Sequence, residues 1–125
     1  MHKSKLAGVI IDCNTDDLQQ AATFWAEALG MALQSLPDAE GEKYVRLLDA
    51  SGELHVEVQS VNHQSRVHLD IEADDIEAEV KRLQRLGAKV VERVNSWCVM
   101  EAPTGQRFCV VEKCTDNFEE KANVW

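Results

Sequence analysis

Three short stretches of the chain set side chains able to do chemistry at alternate positions. In His55–Gln59, HVEVQ, the imidazole of His55, the carboxylate of Glu57 and the amide of Gln59 alternate with Val56 and Val58. In Val67–Glu72, VHLDIE, His68, Asp70 and Glu72 alternate with Val67, Leu69 and Ile71. In Arg107–Glu112, RFCVVE, Arg107, Cys109 and Val111 oppose Phe108, Val110 and Glu112. Successive side chains of a strand point to opposite faces, so each stretch read as a strand gathers its polar groups on one side. His68 suits proton transfer near neutral pH; the plainer reading is a structural histidine paired with Asp70 or a backbone carbonyl. Glu57 suits a general base that deprotonates a carbon next to a carbonyl, which needs a pKa raised by burial; the plainer reading is a solvated carboxylate. Cys109 is a nucleophile only beside an activating base, and otherwise a small hydrophobe. Trp97 can stack on a flat ligand or pack in a core or dimer contact. Arg46 and Arg107 match an acidic ligand or the many surface carboxylates.

The elements that must position these groups are written twice. A shift of 58 pairs Ile11 with Leu69, Asp12 with Asp70, Asp16 with Asp74, Asp17 with Asp75 and Leu18 with Ile76. Asp16 and Asp74 are expected to cap helices, with Gln19 and Glu77 completing capping boxes. Leu18, Ala22, Trp25 and Leu29 recur on one helix face, and Ile76, Val80, Leu83 and Leu86 on the other helix's face. Phe24 and Trp25 are expected in the core, and Gly30 and Gly87 end the two helices. Three β-like runs follow each helix: Met31–Leu36, Lys43–Asp49 and Glu53–Val61, then Ala88–Val94, Ser96–Ala102 and Arg107–Lys113. Turn signals at Pro37–Gly41, Ser51-Gly52 and Pro103-Thr104-Gly105 separate them, and Glu40–Lys43 reads as a solvated loop. The chain therefore reads βαβββ twice: one domain over 1–125, with modules of about 1–62 and 63–113. The tail, 114–125, either docks through Phe118 and Trp125 or frays.

The totals narrow the function. A chain of 125 residues fits one domain. With 22 acidic and 13 basic residues the net charge is −9, which disfavours nucleic acid and anionic membrane surfaces, since both require clustered cations. The apolar run near the N-terminus stops at Asp12, short of the roughly 18 residues of a membrane span. Cys13, Cys98, Cys109 and Cys114 form no CxxC pair and fit free thiols in a reducing compartment. The expected location is cytoplasmic.

Taken together, IDCNTDDLQQAATFWAEALGM, VHLDIEADDIEAEVKRLQRLGA and the closing EAPTGQRFCVVE resemble the vicinal oxygen chelate superfamily of glyoxalase I, bleomycin-resistance proteins and extradiol dioxygenases, in its glyoxalase-like branch. Ala102 stands where the closing hairpin of that family normally has an aspartate. The resemblance implies an α+β fold of two βαβββ modules, a curved mixed and antiparallel sheet around a central cavity, and a homodimer. In metal-dependent members, a His or Gln on the first strand of each module and a Glu on the last hold a divalent ion. Here His68 matches one position, Ile10 occupies its counterpart, Gln59 or Glu57 the third, and Cys109 stands where a glutamate is expected. That set does not make the oxygen-rich octahedral site of such enzymes; His68 and Cys109 with Gln59 or Glu57 could hold zinc at most. The expected function is small-molecule binding in the inter-module cavity, lined by His55, Gln59, Trp97, Cys109 and Arg107, without a conventional metal site or other cofactor. The alternative is a lyase or isomerase using His68 or Glu57 as acid or base, with a divalent metal as a further option.

Overall fold

Each half of the sequence builds the strand–helix–three-strand order that its punctuation predicts. The computed structural model describes residues 1–37, 40–48 and 55–125. The expected turn at Ser51-Gly52, Asp49 at the end of one run and Glu53 at the start of the next lie outside them.

The elements are β1 (Lys3–Asn14), α1 (Leu18–Leu29), β2 (Ala32–Ser35), α2 (Glu40–Lys43), β3 (Tyr44–Leu48) and β4 (His55–Val61). They continue as β5 (Arg66–Ala73), α3 (Ile76–Arg85), β6 (Lys89–Val94), β7 (Trp97–Glu101), β8 (Arg107–Glu112), α4 (Phe118–Lys121) and β9 (Asn123–Val124). The fold is α+β with mixed pairing. β1 and β4 pair in parallel, as do β5 and β8, and the hairpin-connected strands pair antiparallel. Glu40–Lys43, read from sequence as a loop, forms the single turn of α2.

The chain divides into two compact units, Gly8–Val67 and a second made of Met1–Ala7 with His68–Trp125. In the Gly8–Val67 unit the strand order is β2-β3-β4-β1. Val45, Leu47 and Val58 on the sheet close against Ala22 and Ala26 of α1, with Leu18, Trp25 and Met31 packed at the margin. Two expectations are corrected here. Leu29 is 49% exposed and Phe24 61% exposed, because small alanines, not the larger residues, face the sheet. Phe24 instead meets the Trp25 ring edge-on, with centroids 5.1 Å apart.

In the other unit the order is β5-β8-β7-β6. Val80 and Leu83 of α3 pack on Ala73, Cys98, Met100, Phe108 and Val110. Leu86, expected on that face, is the helix C-cap and is 66% exposed. The apolar face of β5 is only half covered. Ile71 and Ala73 join the core, whereas Val67 and Leu69 are 57% and 46% exposed.

The helix caps fall one residue later than expected. Asp17 Oδ1 accepts from the Gln20 amide and Asp75 Oδ1 from the Ala78 amide, both at 3.0 Å. Gln19 and Glu77 therefore do not sit at the capping-box position. Asp74 is diverted to another task, accepting from the Lys3 amide at 2.8 Å. Gly30 takes the left-handed conformation at φ 69° and ends α1, a geometry that glycine adopts without a Cβ penalty.

The tail docks. Phe118 is 2% exposed, β9 pairs antiparallel with the start of β1, and the Trp125 indole donates to Ser4 Oγ at 2.8 Å. Through β9 and residues 1–7, this unit draws on segments from both ends of the described chain.

Candidate functional site

The parallel register of β5 and β8 sets Asp70 opposite Cys109, and His68 lies two residues before Asp70 on the same face. Antiparallel pairing continues that face from Cys109 to Val99 on β7. The opposite faces of β7 and β8 carry Cys98, Met100, Phe108 and Val110 into the helix-covered core. His68, Asp70 and Cys109 are thus held on the side of the sheet away from α3.

Their donor atoms all lie within 4.8 Å of one another. His68 Nε2 is 3.4 Å from Asp70 Oδ1, with side chains 13% and 23% exposed. Among the described residues, this is the group of histidine, cysteine and acidic side chains close enough to share an ion. Strand alternation in the sequence marks both His68 and Cys109 but gives Asp70 only as a partner for the histidine. The signal was present in the alternation of VHLDIE; what was missing was the register that brings Cys109 to Asp70.

The remaining candidates divide by unit. In Gly8–Val67, Glu57 accepts from Arg46 Nη2 at 3.0 Å and Nε at 3.3 Å. Gln59 donates to the Tyr44 hydroxyl at 3.0 Å. Ile10, 3% exposed, stands in register with Glu57, and Asp12 with Gln59. His55 stands in register with Gly8, where a Cβ would come within 2.1 Å of the His55 carbonyl oxygen. In the other unit, Arg107 Nε lies 3.4 Å from Glu101 Oε1. Trp97 opens β7 opposite Val94 and is partly buried. Arg46 and Arg107 therefore both meet carboxylates of their own unit.

Two carboxylates of the unit that contains His68–Trp125 are fully buried. One is Glu72, on the polar face of VHLDIE. It accepts from Thr115 Oγ1 at 2.7 Å and from the Thr115 amide at 3.3 Å, with Lys5 Nζ at 3.8 Å. Glu79 of α3 is also fully buried, and His2 Nε2 lies 2.8 Å from it. Arg82 donates to both its oxygens at 2.8 and 2.9 Å, and the Arg82 guanidinium sits 3.7 Å from the Trp125 ring centroid. Burial alone would raise the Glu79 pKa. Hydrogen bonds from Arg82, His2 and Ser4 outweigh it and hold the carboxyl down to about 2. Burial also pushes the Cys13 and Cys98 thiols up, which keeps them inert. None of the four cysteines is in a disulfide.

An open cleft of about 560 Å³ lies at the start of α3, walled by Asp74, Asp75, Glu77, Glu112 and Lys113 among others. It contains none of the candidate residues. Among the described residues, no helix is long and apolar enough to cross a membrane.

Two βαβββ units with polar groups on the helix-free side of a mixed sheet define the vicinal oxygen chelate type of fold. The chain belongs to the glyoxalase-like domain family, whose model matches residues 8–111. No curated protein matches it. Solved structures of similar fold include a hypothetical protein, BH1468, from Bacillus halodurans, with TM-score 0.64 and 15% identity over 90% of this chain and 96% of that one. They also include methylmalonyl-CoA epimerase from Mycobacterium tuberculosis, with TM-score 0.62 and 16% identity over 88% of each chain. A third is the Mn(II)-bound glyoxalase from Novosphingobium aromaticivorans, with TM-score 0.56 and 15% identity over 92% of this chain and 43% of that one. Identities this low establish the fold alone.

The divalent ion of metal-dependent relatives is not a good fit to the positions assigned by resemblance. Ile10 offers no lone pair, Glu57 is engaged by a guanidinium, and Cys109 replaces an oxygen donor with sulfur. Hard ions such as Mn²⁺ and Mg²⁺ favour oxygen donors in octahedral arrays.

Proposed function

We propose that this chain binds a small molecule on the polar face of β5, β8 and β7, without the oxygen-rich metal site of its metal-dependent relatives. The observation that carries this reading is the Arg46–Glu57 pair, with two hydrogen bonds at 3.0 and 3.3 Å, beside the buried Ile10. It commits Glu57, the carboxylate that the resemblance offers as a ligand from the first module, to a guanidinium. The other unit offers His68, Asp70, Arg107 and Cys109 as polar contacts and Trp97 as an aromatic one, the mixture small-molecule sites use. The same reading includes the homodimer that the resemblance implies, checked by sedimentation equilibrium, and a reducing, cytoplasmic setting that suits the free thiols.

A thermal-shift screen with flat aromatic and thiol-conjugated compounds tests the proposal. The expected result is a compound that raises the Tm of the wild-type chain and loses its effect in Trp97→Ala and Arg107→Ala. Elemental analysis is the second arm. Stoichiometric manganese or magnesium that EDTA removes, together with an activity, would overturn the reading.

One observation favours an enzymatic alternative. The 3.4 Å approach of Asp70 to His68 can orient an imidazole for proton transfer, as in a lyase or isomerase. Solvent-deuterium exchange next to the carbonyl of a bound compound, abolished in His68→Gln, would establish it.

A further inference from the structure

We infer that His68, Asp70 and Cys109 form a site for a borderline-soft transition ion of the zinc type, not for a hard divalent ion. The three donors are an imidazole, a carboxylate and a thiol, all within 4.8 Å of one another. Zinc takes nitrogen, sulfur and oxygen donors in fours, and sites with three protein ligands leave the fourth position for water or a small molecule. Sulfur turns the preference away from manganese and magnesium, and the order of divalent affinities favours zinc over manganese in the same direction.

The backbone register supports the grouping. Asp70 and Cys109 are register partners on adjacent strands, and His68 follows the pleat from Asp70. The donors are partly buried, so the ion would be shielded but reachable. Arg107, the nearest cation along β8, lies against Glu101, which offsets its charge. The Cys109 thiol enters the site as thiolate, so each zinc bound releases that proton to solvent.

The duplication supplies an internal comparison. The shift of 58 that relates the modules places Ile10 at His68 and Asp12 at Asp70. The register partner of Asp12 is Gln59, where Asp70 has Cys109. The same backbone in the first module therefore carries one carboxylate, an amide and an isoleucine. The fold does not demand a nitrogen–oxygen–sulfur set at this place, and only one copy has it.

The inference shares His68, Asp70 and Cys109 with the small-molecule reading but is tested separately from it, since compound-induced stabilisation needs no ion and zinc affinity needs no compound. The test uses the full chain, stripped of metal, titrated with zinc and with manganese against a chromophoric chelator, and separately with cobalt(II). One zinc per chain, bound more than about 100-fold tighter than manganese, is expected. Cobalt should show a thiolate-to-metal charge-transfer band. His68→Gln and Cys109→Ser should each weaken zinc binding by more than the roughly 10–100-fold typical of outer-shell changes, and Cys114→Ser should leave affinity and band intact. Absence of stoichiometric zinc, manganese bound as tightly, or a cobalt spectrum with no thiolate band would overturn the proposal. So would full zinc affinity in Cys109→Ser, or its loss in Cys114→Ser. Should Cys109→Ser fail to fold, the wild-type cobalt spectrum decides alone.

Discussion

At the scale of single residues, Glu79 makes a large electrostatic commitment. A carboxylate with no exposure is tolerable only because His2, Arg82 and Ser4 satisfy it. Its folded pKa of about 2 lies below the ordinary 4.5. The unfolded chain therefore binds more protons than the native one between those values, and stability falls as pH drops through that window. Above pH 4.5 the full contribution, on the order of 3 kcal/mol, is present. Glu79→Gln should lower the unfolding free energy at pH 7 by about 3 kcal/mol, because it leaves a half-shielded guanidinium without its counter-charge. It should also flatten the acid limb of stability against pH, measured by urea denaturation between pH 2 and pH 7. An unchanged acid limb would show that Glu79 is not the titrating group. On a helical period it falls three residues after Ile76 and four before Leu83, on the flank of the apolar face, but its charge reads as surface and its partner His2 is 77 positions away.

At the scale of elements, the caps and one close approach give sharper tests. Asp17→Ala and Asp75→Ala should each cost about 1 kcal/mol, while Asp16→Ala, an exposed residue one place earlier, should be nearly neutral. Equal losses at Asp16 and Asp17 would contradict the assigned cap. Gly8→Ala puts a Cβ 2.1 Å from the His55 carbonyl oxygen, so β1 and β4 must part locally. A loss of about 1–3 kcal/mol or more is expected from such overpacking, read as a shift in the denaturation midpoint. These cases also show how far the chain can be read unaided. The βαβββ order of each half was legible, though α2, α4 and β9 were not, because the Asp-Asp starts, glycine stops and two-residue alternation are local signals. The cap positions were ambiguous by one residue, because both aspartates are chemically competent and only the turn geometry chooses between them. The His68–Cys109 half of the site was legible from alternation, but Asp70 opposite Cys109 was not, since parallel register between strands 39 positions apart leaves no local trace. Leu29, Leu86 and Phe24 were misplaced for a related reason. Periodicity identifies a helix face, but the width buried depends on what packs there, and here two alanines suffice.

At the scale of the whole molecule, the compact units ignore chain order. The unit built from His68–Trp125 also needs Met1–Ala7, which is separated from it in sequence by the other unit. Those seven residues supply His2 and Ser4 to Glu79, Lys5 to Glu72, the Lys3 amide to Asp74, and the edge on which β9 pairs. Ser4 further receives the Trp125 indole, so a single segment supports Glu72, Glu79 and the docked tail. Deleting residues 1–7 should therefore act unevenly. Glu79 keeps Arg82 and Glu72 keeps Thr115, but the loss of His2, Ser4 and Lys5 leaves both buried charges less well compensated, and the tail loses its pairing strand. Hydrogen exchange followed by mass spectrometry should show faster exchange in α3, β7, β8 and the tail. Amides of α1, β3 and β4, whose core of Ala22, Val45, Leu47 and Val58 uses none of the deleted residues, should keep more of their protection. Uniform loss across both units would mean that the chain opens as one cooperative body and that the N-terminal strand serves both halves alike. Protection lost first in α1 and β3 would reverse the assignment, placing the deleted segment's main contribution in the Gly8–Val67 unit.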